Sequence, residues 1–372
     1  MSVIAAAAAL SAALALPALT LGTPAASAMP GRPDAASGRP AGPASWKIIK
    51  TVRGTDSLDF TAVTATSRRG AWAFESAATA VRFARPTAWR LSNSRWTRAP
   101  FAGKSGEIVV SAASTSADDV WAVTSDFTRS RALSWNGRSW IVTGTFPGEL
   151  SDVVALGRHD AWVFGGPGRG GTWHYDGRWS EVPSGRGLLD GSALSPNSIW
   201  AVGTTRVAHW NGHSWSRTSV ARMLPTCPGH PRLCDPRLSS IYAQSPTNVW
   251  AIATGSRESI GGPVAVLHFD GRSWRRLALN SQAANPGHVI PDGKGGLWIP
   301  ILAFEFRAST MLHYSAGQLR FVALPGTHGR VLALGALAAV PGVPRAIGVG
   351  QTYPNHGVLG LNGRAVILAY GS

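Results

Sequence analysis

The chain has 372 residues, of which 44% are hydrophobic, so it can bury a large core, and a protein that is disordered along its whole length is excluded. Its 16 Trp residues, beside only 15% charged residues, favour many small contacts between strands, each anchored by a large ring. The net charge of +16 comes almost entirely from Arg, a bias that is typical of a GC-rich genome and that also fits attraction to an anionic surface.

Residues 1–28 predict a secretory signal peptide. The stretch is rich in Ala and Leu and closes on Ala-Ser-Ala before Met29, the small-x-small pattern that signal peptidase cleaves. An uncleaved membrane anchor is the less favoured alternative, because Ala is only weakly apolar and Pro17 interrupts the run. We therefore expect a secreted, extracellular protein whose mature chain has no membrane span.

Residues 29–45 are rich in Pro, Gly and Ala and offer little apolar surface to bury. This composition is typical of a flexible linker. We therefore assign residues 29–45 to a linker and residues 46–372 to the folded domain.

The folded domain repeats one short motif, seen for example as SPNSIWAVG around Trp200. Successive copies lie 38 to 50 residues apart. The places that the Trp occupies, called the Trp positions below, are Trp72, Trp121, Trp162, Trp200, Trp250 and Trp298, with Ile347 in a degenerate seventh copy. Fixed offsets favour rings that are buried between repeats. Trp89 and Trp173 lie off the pattern and are the better candidates for exposed rings.

A second landmark follows each Trp position: an apolar pair, a tight turn such as Asn-Gly or Asp-Gly, and a large residue. The large residues are Trp96, Trp140, Trp179, Trp215, Trp274, Leu319 and Val366. Asn-Gly and Asp-Gly tolerate positive φ angles, which predicts a β-hairpin with a two-residue turn. With Asn211-Gly212 as this turn, Ala208 lies opposite Trp215 and Trp210 lies opposite His213.

The two landmarks together predict four short strands in each repeat, and no helical periodicity follows the leader. A four-stranded sheet cannot cover both of its faces alone, so neighbouring repeats must stack and the ring must close. The sequence therefore predicts an all-β fold, a seven-bladed β-propeller of four-stranded antiparallel blades. The strand-like segment from Ser45 resembles the last strand of a repeat and is a candidate to join the final blade.

The repeat S-P-x-x-[VI]-W-A-V-G, followed by H-[WF]-[DN]-G-x-x-W, resembles secreted actinobacterial β-propeller repeat proteins of the kelch-like and sialidase-like kind. The resemblance covers Trp46 to Tyr370 and implies a propeller fold. The kelch Gly-Gly pair occurs only at Gly165-Gly166 and Gly170-Gly171, and the sialidase box S-x-D-x-G-x-T-W is absent. No catalytic residue of either family is therefore carried over to this chain.

The two Cys residues, Cys227 and Cys234, lie in a Pro- and Gly-containing insertion between the fourth and fifth repeats. In an exported chain this spacing predicts a local disulfide. A metal site that uses the nearby His230 is not favoured, because the neighbourhood offers no further ligands. We expect neither a metal nor another cofactor.

Three histidines, His209, His268 and His313, occupy the same place within their repeats. A residue type that recurs at a fixed structural position favours packing or a partner on the adjacent strand over catalysis. We therefore do not assign these histidines to an active site.

The loops after the Trp strands vary in length and composition, and all but the seventh contain Arg. Loops carry specificity on rigid scaffolds, and guanidinium groups bind carboxylate, sulfate or phosphate in a bidentate manner. The seventh loop offers Tyr353 and His356 instead. The candidate ligand-binding residues are Arg85, Arg129, Arg169, Arg206, Arg257 and Arg307.

We expect an extracellular binding or scaffold propeller, a monomer, that recognises an anionic polysaccharide, a cell-wall polymer or a protein partner. A nucleic-acid ligand fits the charge but not an exported location. The alternative is a secreted carbohydrate-active enzyme, a glycosidase or polysaccharide lyase, with paired carboxylates on the same face. Its candidate acids are Glu75, Glu258 and Glu305, which follow Trp strands.

Overall fold

The computed structural model describes residues 44–54, 56–78, 83–166, 170–226, 234–256, 262–280, 285–302, 308–355 and 362–371. The chain from Ser45 to Ser372 forms one compact unit. The predicted signal peptide and almost all of the predicted linker lie outside the described residues. Within the described part, none of the helices has the length and apolar character needed to cross a membrane.

The described residues form 28 strands and two short 3-10 helices. The first half of the chain contains β1 (Trp46–Val52), β2 (Ser57–Ser67), β3 (Gly70–Ala78), β4 (Thr87–Ser92), β5 (Arg95–Ala99), β6 (Ile108–Ser116), β7 (Asp119–Ser125), β8 (Arg129–Trp135), β9 (Trp140–Pro147), β10 (Asp152–Gly157), β11 (Asp160–Phe164), β12 (Thr172–Tyr175) and β13 (Trp179–Glu181). The second half contains β14 (Asp190–Ser195), β15 (Ser198–Val202), β16 (Arg206–Trp210), β17 (Trp215–Ser219), β18 (Cys234–Ser245), β19 (Asn248–Ser256), β20 (Val264–Phe269), β21 (Trp274–Asn280), β22 (Ile290–Pro291), β23 (Leu297–Ile301), β24 (Thr310–Ser315), β25 (Gln318–Val322), β26 (Arg330–Ala339), β27 (Ala346–Pro354) and β28 (Arg364–Tyr370). The 3-10 helices are Pro183–Gly185 and Ala221–Met223.

The strands form seven four-stranded antiparallel sheets, which confirms the predicted seven-bladed β-propeller. Successive groups of four strands from β2 to β25 build blades 1 to 6 in chain order. Blade 7 consists of β26, β27 and β28, with β1 as its outer strand. The first strand of each blade is the inner one, and β2 contacts both β6 and β26, so the ring closes between blades 7 and 1.

The N-terminal strand closes the ring by completing blade 7. Trp46 lies opposite Tyr370 and Val52 lies opposite Ala365 in the pairing of β1 with β28. The Trp46 ring is buried and contacts the rings of Trp298 and Tyr370, with centroids 5.7 and 5.5 Å away. The predicted role of the segment from Ser45 is therefore correct.

The core lies between the blades. All seven Trp positions are at most 7% exposed, as predicted, and lie on the second strand of their blades. Trp162 of blade 3, for example, contacts Trp210 and Trp215 of blade 4 at 5.2 and 5.7 Å between ring centroids. Blades 1 to 6 each insert such a ring into the next blade, which is why the Trp recurs at a fixed offset, and Ile347 takes its place in blade 7.

In blade 4 the hairpin between the third and fourth strands differs from the predicted one, whereas blades 1 and 6 have the predicted two-residue turn. Trp210 lies opposite Trp215, and Ala208 lies opposite Arg217, so four residues rather than two form the turn. The Asn211 side chain closes this turn by accepting hydrogen bonds from the backbone N–H groups of His213 and Ser214, at 3.0 and 2.9 Å. The predicted two-residue turn was wrong for this hairpin because it ignored this side-chain acceptor.

The order of the strands divides the connections between two faces of the ring. The lower face carries the turns between strands 1 and 2 and between strands 3 and 4 of each blade. The upper face carries the loops between strands 2 and 3 and the connections from one blade to the next. The described candidate arginines, Arg85, Arg129 and Arg206, all belong to the upper face.

Candidate functional site

Three of the six predicted ligand-binding arginines are described, and all three are exposed on the upper face. Arg85 lies in the loop between β3 and β4, whereas Arg129 and Arg206 are the first residues of β8 and β16. Arg169, Arg257 and Arg307 lie outside the described residues. In blade 7, His356 also lies outside them, and Tyr353 is fully buried within β27, so the expectation that Tyr353 serves the loop was wrong.

None of these three guanidinium groups forms a salt bridge within the described ranges. The neighbouring carboxylate of Asp126 is used by its own turn: it accepts hydrogen bonds from the Thr128 hydroxyl at 2.7 Å and from the backbone N–H groups of Thr128 and Arg129. The bond from the Thr128 hydroxyl is the main reason that the pKa of Asp126 lies below its usual range. The charge of Arg129 also contributes to this lowering, but its guanidinium forms no salt bridge with Asp126.

The acidic residue Glu107, near the upper end of blade 2, is buried and neutralised inside the protein. Its carboxylate accepts a hydrogen bond of 2.6 Å from Nε of Arg131 and a second bond from Nη2 of that residue. Both side chains are less than one-tenth exposed. The backbone N–H of Lys104 donates a further bond, at 2.8 Å, which ties the connection from blade 1 to this ion pair.

Glu75 is the one candidate catalytic acid within the described residues, and it is also paired. It lies within β3, on the Trp strand itself, so the expectation that it follows that strand was wrong. Its carboxylate accepts a hydrogen bond from Nε1 of Trp89 at 2.9 Å and contacts Nη2 of Arg98 at 3.4 Å. Burial raises the pKa of Glu75, and the Arg98 charge acts against this rise. Trp89 is itself buried, so it is not the exposed ring that its position off the pattern had predicted.

A belt of polar side chains joins the inner strands near their upper ends; its members are Ser111, Asp152, Asp190 and Ser240. Asp152 accepts hydrogen bonds from the Ser111 hydroxyl of blade 2, at 2.8 Å, and from the backbone N–H of Gly191 in blade 4, at 3.0 Å. Asp190 accepts a bond of 3.1 Å from the backbone N–H of Ile241 in blade 5. The Ser240 hydroxyl accepts one from blade 6. The belt therefore links five consecutive blades.

His288 of blade 6 caps this belt. Its Nδ1 lies 2.6 Å from an oxygen of Asp190, and 43% of its side chain is accessible. Burial acts to lower the pKa of His288, but the charge of Asp190, the bond to it and the charge of Asp152 together raise it to about 9. Burial, with a further contribution from the charge of Asp190, raises the pKa of Asp152 to about 7.

Sequence reasoning did not single out Asp152, Asp190 or His288. A signal for the two acids was present, because each lies two residues before the residue that faces Trp162 or Trp200. Their carboxylate oxygens are occupied by neighbouring blades, which indicates a structural role in joining blades rather than catalysis. Among the described residues, no group of three or more His, Cys, Asp or Glu is arranged to hold a metal ion.

The recurring histidines support the Trp positions, as predicted. His209 and His313 stack on Trp200 and Trp298 with ring centroids 4.3 and 4.1 Å apart. His174 occupies the same place in blade 3, which the sequence comparison had missed. Packing on a buried ring explains why His recurs there.

The predicted disulfide is only partly within the described residues. Cys234 begins β18 and is not a free thiol. Cys227 lies outside the described residues, as does His230. The pairing of Cys227 with Cys234 therefore stays a prediction.

Seven four-stranded blades with this connectivity define a β-propeller, and WD40 proteins are among those with a similar fold. No family model matches the chain, and no curated protein matches it. Among solved structures, the chain is similar to "YCF48 bound to D1 peptide", with a TM-score of 0.57 and 15% identity over 88% of this chain and 97% of that one. It is also similar to "YCF48 from Cyanidioschyzon merolae", with a TM-score of 0.55 and 15% identity over 88% and 98% of the two chains. For "Crystal structure of RRP9 WD40 repeats" the TM-score is 0.56, with 14% identity over 86% and 97%. Likeness at such low identity concerns the fold alone.

Proposed function

We propose that this protein is a binding or scaffold propeller whose upper face binds an acidic segment of a partner protein. The observation that carries the proposal is a division of charge on that face. Arg85, Arg129 and Arg206 are exposed and have no salt bridge within the described part of the chain. Two acids near the same ends of the strands, Glu107 and Asp190, are buried and bonded internally, and the exposed Asp126 is bonded to its own turn. A ligand would thus contact exposed guanidinium groups that a rigid scaffold holds in place. Such groups bind carboxylates in a bidentate manner.

A protein partner is preferred over a polymer. One structure with the same fold is described as bound to a peptide, which supports a peptide-binding role for such a ring. An anionic polysaccharide or cell-wall polymer carries the same carboxylate chemistry and is the competing ligand. A direct comparison of the two ligands is therefore part of the test.

Net charge alone does not distinguish the two faces. The lower face also exposes arginines, including Arg138, Arg178 and Arg272. They lie in short hairpin turns, two of which are closed by the side chains of Asn136 and Asp270. These three residues form a matched control, because their loss removes the same charge from the opposite face.

The test compares two triple variants, in which Arg85, Arg129 and Arg206 or the three lower arginines are changed to Ser. Binding of a fluorescent Glu-rich peptide is measured by anisotropy at low and physiological salt. We expect the upper variant to weaken binding by at least about tenfold, or about 1.4 kcal/mol, and the lower one by less than about twofold. Added salt should weaken wild-type binding, because exposed charges are screened over about 8 Å at physiological ionic strength.

Equal losses in the two variants would contradict the proposal, because they would show only diffuse attraction to a basic protein. Polygalacturonate serves as the polymer probe in the same assay. If it binds more tightly than the peptide at equal charge, and the upper variant removes that binding, the ligand is a polymer and the proposed protein partner is wrong. Circular dichroism of both variants checks that the propeller is intact.

We further propose that the protein is exported, as the leader indicates. The mature chain should begin at Met29, carry the bond between Cys227 and Cys234, and be found outside the cell. Mass spectrometry of the culture medium, with and without reduction, measures both features. Two alkylatable thiols, or an intact Met1 in a membrane fraction, would contradict this part of the proposal.

A further inference from the structure

On the lower face, one residue of the third strand lies opposite the Trp position, and this residue is of the same type in four blades. It is a His in blades 3 to 6, and the His bonds to a polar residue of the first turn of its blade. In blade 3, Nε2 of His174 lies 3.0 Å from a carboxylate oxygen of Asp160. In blade 6, Nε2 of His313 lies 2.8 Å from Asp292. The repeat thus pairs a ring that stacks on Trp with an acceptor beside it.

Blade 1 departs from this rule at both places. Arg90 lies opposite Trp72, where blades 3 to 6 have His. Gly70 stands two residues before the Trp position, where blade 3 has Asp160, so it supplies no acceptor. The guanidinium of Arg90 lies over the rings of Trp72 and Trp135, 5.4 and 5.6 Å from their centroids. Among the described residues, no carboxylate forms a salt bridge with Arg90.

A groove of about 220 Å³ opens beside Arg90, between the turns of blades 1 and 2. Its walls include Arg69 and polar groups of Thr66, Ser67, Ser92 and Asn93. No Asp or Glu lines it. The groove therefore contains two arginines and several side-chain hydrogen-bond donors. At the corresponding place, blade 3 has the carboxylate of Asp160.

We propose that this groove binds a carboxylate group, which takes the part that Asp160 plays in blade 3. The two Trp rings hold the Arg90 guanidinium by cation–π contact, which fixes the plane of the fork before a ligand arrives. The planar guanidinium group fits the geometry of a carboxylate, whose two oxygens lie in one plane, better than it fits a single charged atom. Hydroxyl groups at the rim supply further hydrogen bonds.

The carboxylate has two sources with the same chemistry, a small free acid and the side chain of an Asp or Glu in a partner chain. The site lies on the face opposite the proposed peptide-binding face. It is therefore independent of that proposal and can succeed or fail separately.

The test is an NMR titration of the mature protein with labelled Trp indole and Arg side-chain nitrogens. The probes are acetate, the capped peptide acetyl-Gly-Asp-Gly-amide and inorganic phosphate. We expect saturable shifts of the signals of Arg90, Trp72 and Trp135, with the signal of Trp200 unmoved. Saturation by the peptide at concentrations where acetate has little effect indicates a partner side chain, and the reverse indicates a small free acid.

The decisive variant is Arg90→His, which restores the residue that four other blades carry and should leave the fold intact. Carboxylate binding should weaken by at least about tenfold. Arg272→His, in the corresponding turn of blade 5 on the same face, should leave it unchanged. Arg90→Lys keeps the charge but loses the planar guanidinium group, and should bind the carboxylate at least about threefold less tightly.

Three results would overturn the inference. One is the absence of a saturable shift at Arg90 in the wild-type protein, which requires no variant. Another is unchanged binding in Arg90→His. The third is tighter binding of phosphate than of either carboxylate, which would show a general anion site rather than a site for carboxylates.

Discussion

Replacing Trp200 by Ala tests how the blades hold together. Trp200 lies on β15 of blade 4 and is 7% exposed. Its ring stacks on His209 within the blade and contacts Phe269 and Trp274 of blade 5, with centroids 5.2 and 6.1 Å away. The change therefore opens a cavity at an interface between two blades rather than within one sheet.

The expected loss follows from the packing of the ring alone. Its Nε1 has no hydrogen-bond partner among the described residues, so the change breaks no bond. A Trp side chain buries about 150–250 Å², which at about 25 cal/mol per Å² corresponds to about 4–6 kcal/mol. The unfolded chain already buries part of that area, and large-to-small changes in cores cost about 3–5 kcal/mol. We expect the free energy of unfolding to fall by about 3–5 kcal/mol.

The measurement is equilibrium unfolding in urea, followed by far-ultraviolet circular dichroism, for Trp200→Ala, Trp200→Phe and Ile141→Ala. Trp200→Phe keeps an aromatic ring in the interface and should lose clearly less than the Ala variant. Ile141 lies on an outer strand and is 47% exposed, so its loss should change the free energy by less than about 0.5 kcal/mol. A loss below about 1 kcal/mol for Trp200→Ala would refute the assignment of the Trp positions as the joints between blades.

Two further predictions concern ionisable groups that form internal pairs. Stability should fall as the pH rises from about 4 to about 9, because the folded state holds the protons of Asp152, with its pKa raised to about 7, and of His288, with its pKa raised to about 9, more tightly than the unfolded chain does. Thermal unfolding across this range measures the fall, His288→Gln should flatten its alkaline part, and a rise with pH would contradict the assignment. Glu107→Gln leaves the buried Arg131 without its counter-charge and should cost about 3–5 kcal/mol, measured by urea unfolding. A cost near zero would show that the pair is solvated.

The sequence by itself determined the architecture, because the signals for it are local and repeat. A Trp after a short turn and an Asn-Gly or Asp-Gly before a large residue each describe one hairpin. Seven copies of these two hairpins give seven four-stranded sheets. Such sheets must stack in a closed ring because none can cover both of its faces alone. The role of the segment from Ser45 followed in the same way, since SWKIIKTV matches the fourth strand of other repeats and blade 7 lacked one. The packing role of His209 was likewise readable from its fixed place in the repeat.

The hairpin register needed one contact that a dipeptide pattern does not show. Asn-Gly is compatible with a two-residue turn and with the four-residue turn that is present. The choice depends on whether the Asn211 side chain bonds to the backbone of residues further along the turn, which it does. A single side-chain acceptor thus decided which residues face each other.

Only the tertiary structure decided which charges are exposed and which are buried in pairs. Asp190 and His288 are nearly a hundred residues apart and belong to blades 4 and 6, yet their side chains bond to each other. Glu107 and Arg131 form a buried pair, whereas Arg129, two residues away, is exposed. The physical reason is that closing the ring brings the inner strands together. A buried charge keeps a low free energy only when a partner lies beside it, and that partner is set by the fold and not by proximity along the chain.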